Sequence, residues 1–234
     1  MKTIGLIGGM SWESSLEYYR LINEGVKAKL GGLHSARCLL NSVDFAEIEP
    51  LQRLDQWEEA GEQMVAAARQ LEKGGADFLL LCTNTMHKVA DAVQHGVSIP
   101  LLHIADATAH AVKARSLANV GLLGTRFTME EDFYRGRLSS RHGLDVLIPE
   151  EEDRRTVHRI IYEELCVGKI VDHSRQEYGR IMDRLAQRGA EAIILGCTEI
   201  TLLVSQSDCS VPVFDTTWIH AEAAVEHALS GKLG

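Results

Sequence analysis

An internal repeat restricts the fold of this chain more than any other feature of its sequence. Three segments of the first half recur in order in the second: IGLIG at 4–8 with VGLLG at 120–124, GADFLLL at 75–81 with GAEAIIL at 189–195, and SIPL at 98–101 with SVPV at 210–213. The paired segments lie 116, 114 and 112 residues apart. Any two βα units share some features, but three ordered matches at nearly constant spacing favour a duplicated structural unit.

The repeated segments belong to a regular alternation of strand and helix patterns. Apolar runs predict strands at 3–8, 36–41, 76–81, 99–103, 119–124, 144–148, 190–196 and 211–215. Segments with apolar residues at every third or fourth position separate them and predict helices. Continuous apolar strands that alternate with helices are typical of parallel sheets covered on both faces. Thr128-x-x-Glu131 predicts a capping box that opens the helix through Phe133 and Leu138.

We therefore predict an α/β fold made of two similar α/β domains with parallel sheets. Pseudo-twofold symmetry would relate the domains, with the active site in the cleft between them. The predicted first domain contains residues 1–103 and a C-terminal helix at 216–234, and the second contains residues 104–215.

Composition narrows the classes of function and the cellular location. The chain has 234 residues, a net charge of −9 and no run rich in Lys or Arg, which argues against nucleic acid or an anionic membrane as a partner. No apolar stretch approaches the ~20 residues of a membrane span, and the N-terminus does not resemble a signal peptide. Five scattered cysteines without a C-x-x-C pair argue against disulfides and structural zinc. We expect a cytoplasmic protein with reduced thiols.

The segment LLLCTNTMH at 79–87 places polar residues directly after a predicted strand. With the repeat spacing of 114 residues, Thr83 is the counterpart of Cys197, whereas Cys82 is the counterpart of Gly196. Open α/β sheets bind ligands at the carboxyl ends of their strands, so Thr83 and Cys197 are candidate functional residues. Because side chains alternate along a strand, Cys82 is expected to point away from Thr83 and to be a buried small apolar residue.

Four motifs carry a resemblance to a known family: GLIGGMSWES near the N-terminus, CTNTMH at 82–87, LLGT at 122–125 and GCTE at 196–199. Together they resemble the aspartate/glutamate racemase family of cofactor-independent amino-acid racemases, over essentially the whole chain. The resemblance implies two cysteines that act on opposite faces of the substrate. Here Thr83 replaces the first, as in a Thr/Cys subgroup described as L-aspartate/glutamate racemases or broad-specificity amino-acid racemases. It also implies no cofactor, a small amino acid as substrate and a homodimer.

The chemistry suggests a role for each candidate residue. Racemisation without a cofactor needs an acid/base group on each face of the substrate. Cys197, with an ordinary thiol pKa of ~8.5, is the expected base, and the start of the next helix is expected to lower that pKa. Thr83 is a poor base but an acceptable proton donor.

Several polar groups near the predicted strand ends are expected to bind the substrate. Backbone donors at strand-to-helix turns favour carboxylate binding. The predicted contacts are Met10, Ser11, Asn84, Thr85 and Thr198, with Gln52 added by the resemblance.

For three further polar residues the sequence offers two alternative roles each. Glu199 is left open between binding the substrate ammonium and capping a helix. For His87 a structural role is favoured over a ligand contact. Arg53 is left open between a substrate contact and solvation.

Other functions remain compatible with the sequence. One alternative is an isomerase or decarboxylase of small dicarboxylates that uses a single cysteine, and another is an amino-acid-binding pseudoenzyme. Gly8-Gly9-Met10 does not match the dinucleotide fingerprint G-x-G-x-x-G, and no histidine spacing matches H-E-x-x-H, so neither a dinucleotide nor a metal is expected.

Overall fold

The computed structural model describes residues 1–230, so the last four residues of the predicted helix at 216–234 lie outside the described part. The chain folds into two compact units. The first contains Met1–Ala107 and the chain from Thr217 onward, and the second contains Thr108–Thr216. The domain boundaries predicted at 103/104 and 215/216 stay a prediction, and each unit is described by itself below.

The first unit contains a parallel three-stranded sheet with the order β2-β1-β3. Its elements are β1 (Ile4–Gly8), α1 (Trp12–Leu30), β2 (Cys38–Ser42), α2 (Phe45–Arg53), α3 (Trp57–Lys73), β3 (Phe78–Leu81), a 3₁₀ turn (Thr85–Val89), α4 (Ala90–Gly96) and the start of α5 (Ile104–Ala114). The predicted strand at 99–103 is wrong, because only an isolated parallel bridge between Leu79 and Leu101 forms there.

The second unit contains a parallel four-stranded sheet with the order β5-β4-β6-β7. Its elements are β4 (Asn119–Gly124), α6 (Arg126–Glu130), α7 (Arg137–His142), β5 (Asp145–Leu147), α8 (Glu151–Glu163), α9 (Asp172–Gln187), β6 (Ala192–Gly196), α10 (Ile200–Leu203) and β7 (Val213–Asp215). A final helix, α11 (Thr216–Ser230), returns the chain to the first unit.

The two sheets have matching strand orders. β1, β2 and β3 correspond to β4, β5 and β6, and the Leu79–Leu101 bridge takes the place of the β6–β7 pairing. The sequence predicts a mixed α/β fold with two parallel sheets, and the structure confirms it.

The predicted capping box at Thr128 and Glu131 is wrong. Thr125, the first residue after β4, is the N-cap of α6, and its side chain accepts a hydrogen bond from the Thr128 N–H at 3.3 Å. Glu131 has an extended backbone (ψ 154°), which ends α6 after Glu130. A π-helical turn at Asp132–Gly136 then leads into α7. The helix therefore starts three residues earlier than predicted, because the residue next to the strand takes the cap.

Side-chain alternation along the strands builds a separate core on each face of the first sheet. Ile4, Leu6, Leu80 and Cys82 pack with side chains of α1 and α11, whereas Ile7, Leu79 and Leu81 pack with α3 and α4. Full burial of one such aliphatic side chain contributes ~1.5–3 kcal/mol. In the second unit, Leu123, Ile193, Leu195 and Cys197 pack with α8 and α9. These cores therefore set the face of the sheet toward which a side chain directly after a strand points.

Within residues 1–230 no helix is both long and apolar enough to cross a membrane.

Candidate active site

The turn between β1 and α1 is tightly constrained. Gly9 has a φ of +94°, and a Cβ atom there would lie 2.1 Å from the Val43 carbonyl oxygen, so only glycine fits. Its N–H donates to Ser15 Oγ at 2.7 Å. The Gly9 N–H, a backbone donor at this strand-to-helix turn, is therefore already used within the protein.

Met10 and Ser11 complete this turn, and both are buried. Ser11 is the N-cap of α1, and its Oγ accepts a hydrogen bond from the Ser14 N–H at 3.3 Å. Met10 packs in the core on the α3 side of the sheet, together with Met86. Their contact with a substrate stays a prediction.

Cys82 is a core residue, as predicted. It is 1% exposed and packs with Leu6, Tyr18 and Leu80. Burial raises the pKa of its thiol well above the ordinary range. A thiol that stays protonated among apolar side chains is unsuited to proton transfer.

The residues after Cys82 form a compact polar segment. Thr83 is half-buried, whereas Asn84 and Thr85 are buried. The 3₁₀ turn begins at Thr85, and the His87 N–H donates to the Asn84 carbonyl at 3.1 Å. The structure therefore places Thr83, Asn84 and Thr85 together at the carboxyl end of β3.

His87 is a buried member of this segment, and its ring is bonded to the backbone on both sides. The Ile104 N–H donates to Nε2 at 3.2 Å, so Nε2 is an acceptor. Nδ1 therefore carries the proton and donates to the Thr83 carbonyl oxygen at 2.8 Å. These bonds agree with the structural role favoured from the sequence.

Gln52 lies against the same 3₁₀ turn. It is buried, and its Nε2 donates to Met86 Sδ at 3.0 Å. Arg53, the next residue, has a side chain that is 64% exposed and pairs with Glu49 at 3.5 Å. Of these two neighbouring residues at the end of α2, Gln52 faces inward and Arg53 faces solvent.

A second contact fixes the α2–α3 connection to the 3₁₀ turn. Trp57 Nε1 donates to Asp55 Oδ1 at 2.6 Å, and Lys88 Nζ lies 3.7 Å from the same oxygen. The Lys88 ammonium also lies 4.1 Å from the Trp57 ring centroid. These contacts hold Gln52 close to the segment that carries Thr83.

In the second unit, two glycines let the strand ends approach closely. A Cβ atom on Gly124 would lie 2.8 Å from the Gly196 carbonyl oxygen, and one on Gly196 would lie 2.9 Å from the Leu123 carbonyl oxygen. Side chains at either position would separate β4 from β6. The G of the GCTE motif therefore has a packing role next to Cys197.

Cys197, Thr198 and Glu199 form a hydrogen-bonded group directly after β6. All three are buried. The Cys197 thiol donates to Glu199 Oε2 at 3.0 Å, and the Thr198 hydroxyl donates to the same oxygen at 2.7 Å. This places a proton acceptor against the thiol.

The expectation that a helix start would lower the Cys197 pKa is wrong. Burial and the nearby Glu199 carboxylate raise that pKa well above its ordinary value, and the lowering contribution of the Glu199 backbone N–H is smaller. The helix that follows, α10, has only four residues. Burial therefore dominates over the short helix, and the resting group is the thiol.

The two alternatives for Glu199 can now be compared. Glu199 occupies the N-cap position of α10, but its side chain makes no capping hydrogen bond. Its carboxylate instead accepts hydrogen bonds from Cys197 and Thr198. The capping alternative is not what the structure shows.

Sequence reasoning missed the histidines His103 and His220, which are buried near His87. The ring centroids of His87 and His103 are 4.5 Å apart, and those of His87 and His220 are 5.9 Å apart. The position of His103 directly before α5 is a weak sequence signal that it lies near the site. Nothing in the sequence connects His220 to the CTNTMH segment. Within residues 1–230 no group of three or more His, Cys, Asp or Glu side chains is placed to hold a metal ion.

Comparison with known proteins identifies the family. The sequence profile of the Asp/Glu/hydantoin racemase family matches residues 7–224. The chain belongs to this family. The match confirms the resemblance carried by the GLIGGMSWES, CTNTMH, LLGT and GCTE motifs.

Three relatives illustrate the similarity of this chain to known proteins. A Yersinia pestis protein described as a candidate Asp/Glu racemase is 57% identical, with a TM-score of 0.92 over 98% of this chain and 100% of that one. An aspartate racemase homologue from Pyrococcus horikoshii OT3 is 37% identical, with a TM-score of 0.84 over 97% and 99% of the chains. The broad specificity amino-acid racemase RacX of Bacillus subtilis (strain 168) is 25% identical over 173 residues, 74% of each protein.

Proposed function

We propose that this racemase-family protein interconverts the enantiomers of small amino acids without a cofactor, with aspartate and glutamate as the first candidates. Cys197 and Thr83 are the acid/base groups on opposite faces of the substrate. The observation that carries the proposal is the buried Cys197 thiol at the carboxyl end of β6, bonded to Glu199 at 3.0 Å. Homology to amino-acid racemases supports the reaction class.

Glu199 gives Cys197 a route to the reactive thiolate. The carboxylate raises the Cys197 pKa because it opposes a second negative charge. A substrate ammonium bound at Glu199 would offset this charge and lower the thiol pKa when substrate is present. The thiol then releases its proton to solvent. The resulting thiolate takes the α-proton, and the electron pair of the broken C–H bond passes into the substrate carboxylate as a planar enediolate.

Thr83 completes the inversion on the other face. A hydroxyl is far less acidic than a thiol, so Thr83 delivers a proton, directly or through water, more readily than it removes one. The hydroxyl regains its proton from solvent. We therefore expect different kcat and KM values for the two enantiomers, although the equilibrium constant between the free enantiomers is one.

The remaining predicted contacts would hold the substrate carboxylates and exclude water. For this role we propose Met10, Ser11, Gln52, Asn84 and Thr85 from the first unit and Thr198 from the second, whereas Glu199 holds the substrate ammonium. Each of these seven residues is buried.

Two further proposals, on the oligomeric state and the cellular location, rest on the sequence. A homodimer follows from the family resemblance alone and can be checked by light scattering. A cytoplasmic location is proposed from the five scattered cysteines without a C-x-x-C pair.

Deuterium incorporation tests the proposed function. In heavy water without added cofactor or metal, the protein should place deuterium at the α-carbon of L-aspartate or L-glutamate and form the D-enantiomer. Release of carbon dioxide from a small dicarboxylate would instead indicate a decarboxylase. Binding without exchange would indicate an amino-acid-binding protein, and either result would replace the racemase proposal.

A further inference from the structure

We propose that His87 is a positioning residue for Thr83, and that its neutral Nδ1–H tautomer holds the Thr83 backbone where the hydroxyl meets the substrate. This inference rests on the proposed function, because it assigns a role in the step that Thr83 performs. The bonding of both ring nitrogens to the backbone supports it. Nδ1 donates to the Thr83 carbonyl at 2.8 Å, and Nε2 accepts from the Ile104 N–H at 3.2 Å.

The His87 ring joins two separate segments of the first unit. Thr83 follows β3, and Ile104 is the first residue of α5. The direction of a side chain from its Cα atom is set by the backbone, so a fixed Thr83 carbonyl restricts the Thr83 hydroxyl. Small displacements of reacting groups matter in catalysis, since a 1 Å misplacement costs ~10²-fold in rate.

Other buried rings hold His87 in this orientation. The His103 ring centroid lies 4.5 Å away, and His103 Nδ1 accepts the Ala105 N–H at 3.2 Å. The His220 ring centroid lies 5.9 Å away. His220 Nε2 lies 2.9 Å from the Leu102 carbonyl and therefore donates to it. Its Nδ1 accepts the Tyr18 hydroxyl at 2.7 Å. Each ring is tied to the chain, so His87 has little freedom to rotate.

The second unit holds its candidate residue differently. The repeat spacing of 114 residues makes Thr201 the counterpart of His87. Thr201 Oγ1 donates to the Thr198 carbonyl at 2.8 Å, and the Cys197 carbonyl accepts the Ile200 N–H at 3.2 Å. The histidine bond is therefore specific to the half of the protein whose proton donor is a hydroxyl. A hydroxyl is a weak acid/base group, so its placement matters more.

Two substitutions at position 87 separate positioning from packing. The Asn amide nitrogen is two bonds from Cβ, as is His Nδ1, so His87→Asn keeps a donor for the Thr83 carbonyl. The Gln amide oxygen is three bonds from Cβ, as is His Nε2, so His87→Gln keeps an acceptor for the Ile104 N–H and loses the bond to Thr83. Both variants lose the ring and one hydrogen bond, which makes them a matched pair.

The measurement compares deuterium exchange with inversion, starting from pure L-aspartate. If Thr83 is displaced, Cys197 still exchanges the α-proton, but the carbanion returns to the L-form. We expect His87→Gln to raise the ratio of exchange to inversion about tenfold and to lower kcat with little change in KM. His87→Asn should stay within about threefold of the wild-type ratio. Equal ratios in both variants, or losses that follow thermal stability alone, would overturn the inference.

Exposed His95 provides the control, because its Nδ1 makes the same type of bond to the Asp91 carbonyl four residues earlier, at 2.7 Å. His95→Asn and His95→Gln should leave the ratio unchanged. If neither position-87 variant folds, ¹⁵N NMR of the wild type decides: an Nδ1–H tautomer at His87 supports the inference, and an Nε2–H tautomer overturns it. A wild type that neither exchanges nor inverts refutes the proposed function, whereas inversion with an unchanged ratio refutes only the role of His87.

Discussion

The Thr83 segment and the Cys197 segment occupy equivalent positions after β3 and β6, yet they are built from different interactions. Cys197 bonds through its own side chain to Glu199, two residues along the chain. Thr83 bonds to His87 through its backbone carbonyl, four residues along the chain. The thiol lies against a carboxylate that raises its pKa, and in our proposal the neutral His87 ring positions the Thr83 hydroxyl. A duplicated fold can therefore supply two acid/base positions whose chemistry differs.

The largest effect is expected from removing the thiol. Cys197→Ala should reduce racemisation by about 10³-fold or more, because it removes the group that we propose takes the α-proton. The measurement is the initial rate on pure L- and pure D-aspartate. Cys82→Ala is the matched control, since it removes a buried thiol from the core beside Tyr18, and it should retain more than about half of the activity.

Alkylation offers an independent check that Cys197, and not Cys82, is the thiol in contact with substrate. Iodoacetamide modification that substrate slows should map to Cys197. If the protected thiol were Cys82, the comparison between the two segments would be wrong.

Lowering the pH should reduce the stability of the first unit through protonation of His220. Burial lowers the pKa of His220 to about 4, from an unfolded value near 6.5. The unfolded chain therefore binds the extra proton first, so this contribution to stability is present above pH ~6.5 and is lost as pH falls toward 4. The loss is about 3 kcal/mol over that range. Unfolding by urea at several pH values measures it.

A His220→Gln variant is the control for this titration. It should be less stable at neutral pH but should lose less stability on acidification. An unchanged pH slope in the variant would show that other groups carry the acid sensitivity.

Thr83→Cys should make the two directions of racemisation more even. A thiol is several pKa units more acidic than a hydroxyl, so it can act as a base toward the D-enantiomer. We expect the ratio of D to L turnover to rise about tenfold, even if both rates fall because the methyl group is lost. Initial rates on the two pure enantiomers of aspartate and glutamate measure it. An unchanged ratio would mean that the asymmetry does not arise at Thr83.

Glu199→Gln should change the pH at which the Cys197 thiol ionises. The carboxylate is the second cause, after burial, of the raised Cys197 pKa, so its removal should lower that pKa while burial keeps it raised. The pH dependence of Cys197 alkylation in the absence of substrate should move to lower pH. Because the variant also loses the proposed ammonium contact, KM should rise. A midpoint at higher pH would contradict the assigned interaction.

The sequence by itself determined the parallel α/β architecture, and it predicts the pairing of Thr83 with Cys197. Apolar runs identify buried strands without any knowledge of their neighbours, and the repeat carries the correspondence from one half to the other. It also identified Cys82 as a core residue, because alternation along β3 decides which face a side chain joins. The errors in secondary structure were local: the helix cap, which is at Thr125, and the segment 99–103, which forms only one bridge.

Tertiary structure alone decided the protonation chemistry. The Cys197 pKa depends on how much apolar structure surrounds the thiol and on the direction of the Glu199 side chain, neither of which a GCTE motif specifies. Likewise, Tyr18 and His220 are 202 residues apart in the chain and become hydrogen-bonded partners only when α1 and α11 pack together. Strand and helix patterns depend on residues close in sequence, whereas desolvation and hydrogen bonding depend on whatever the fold brings near.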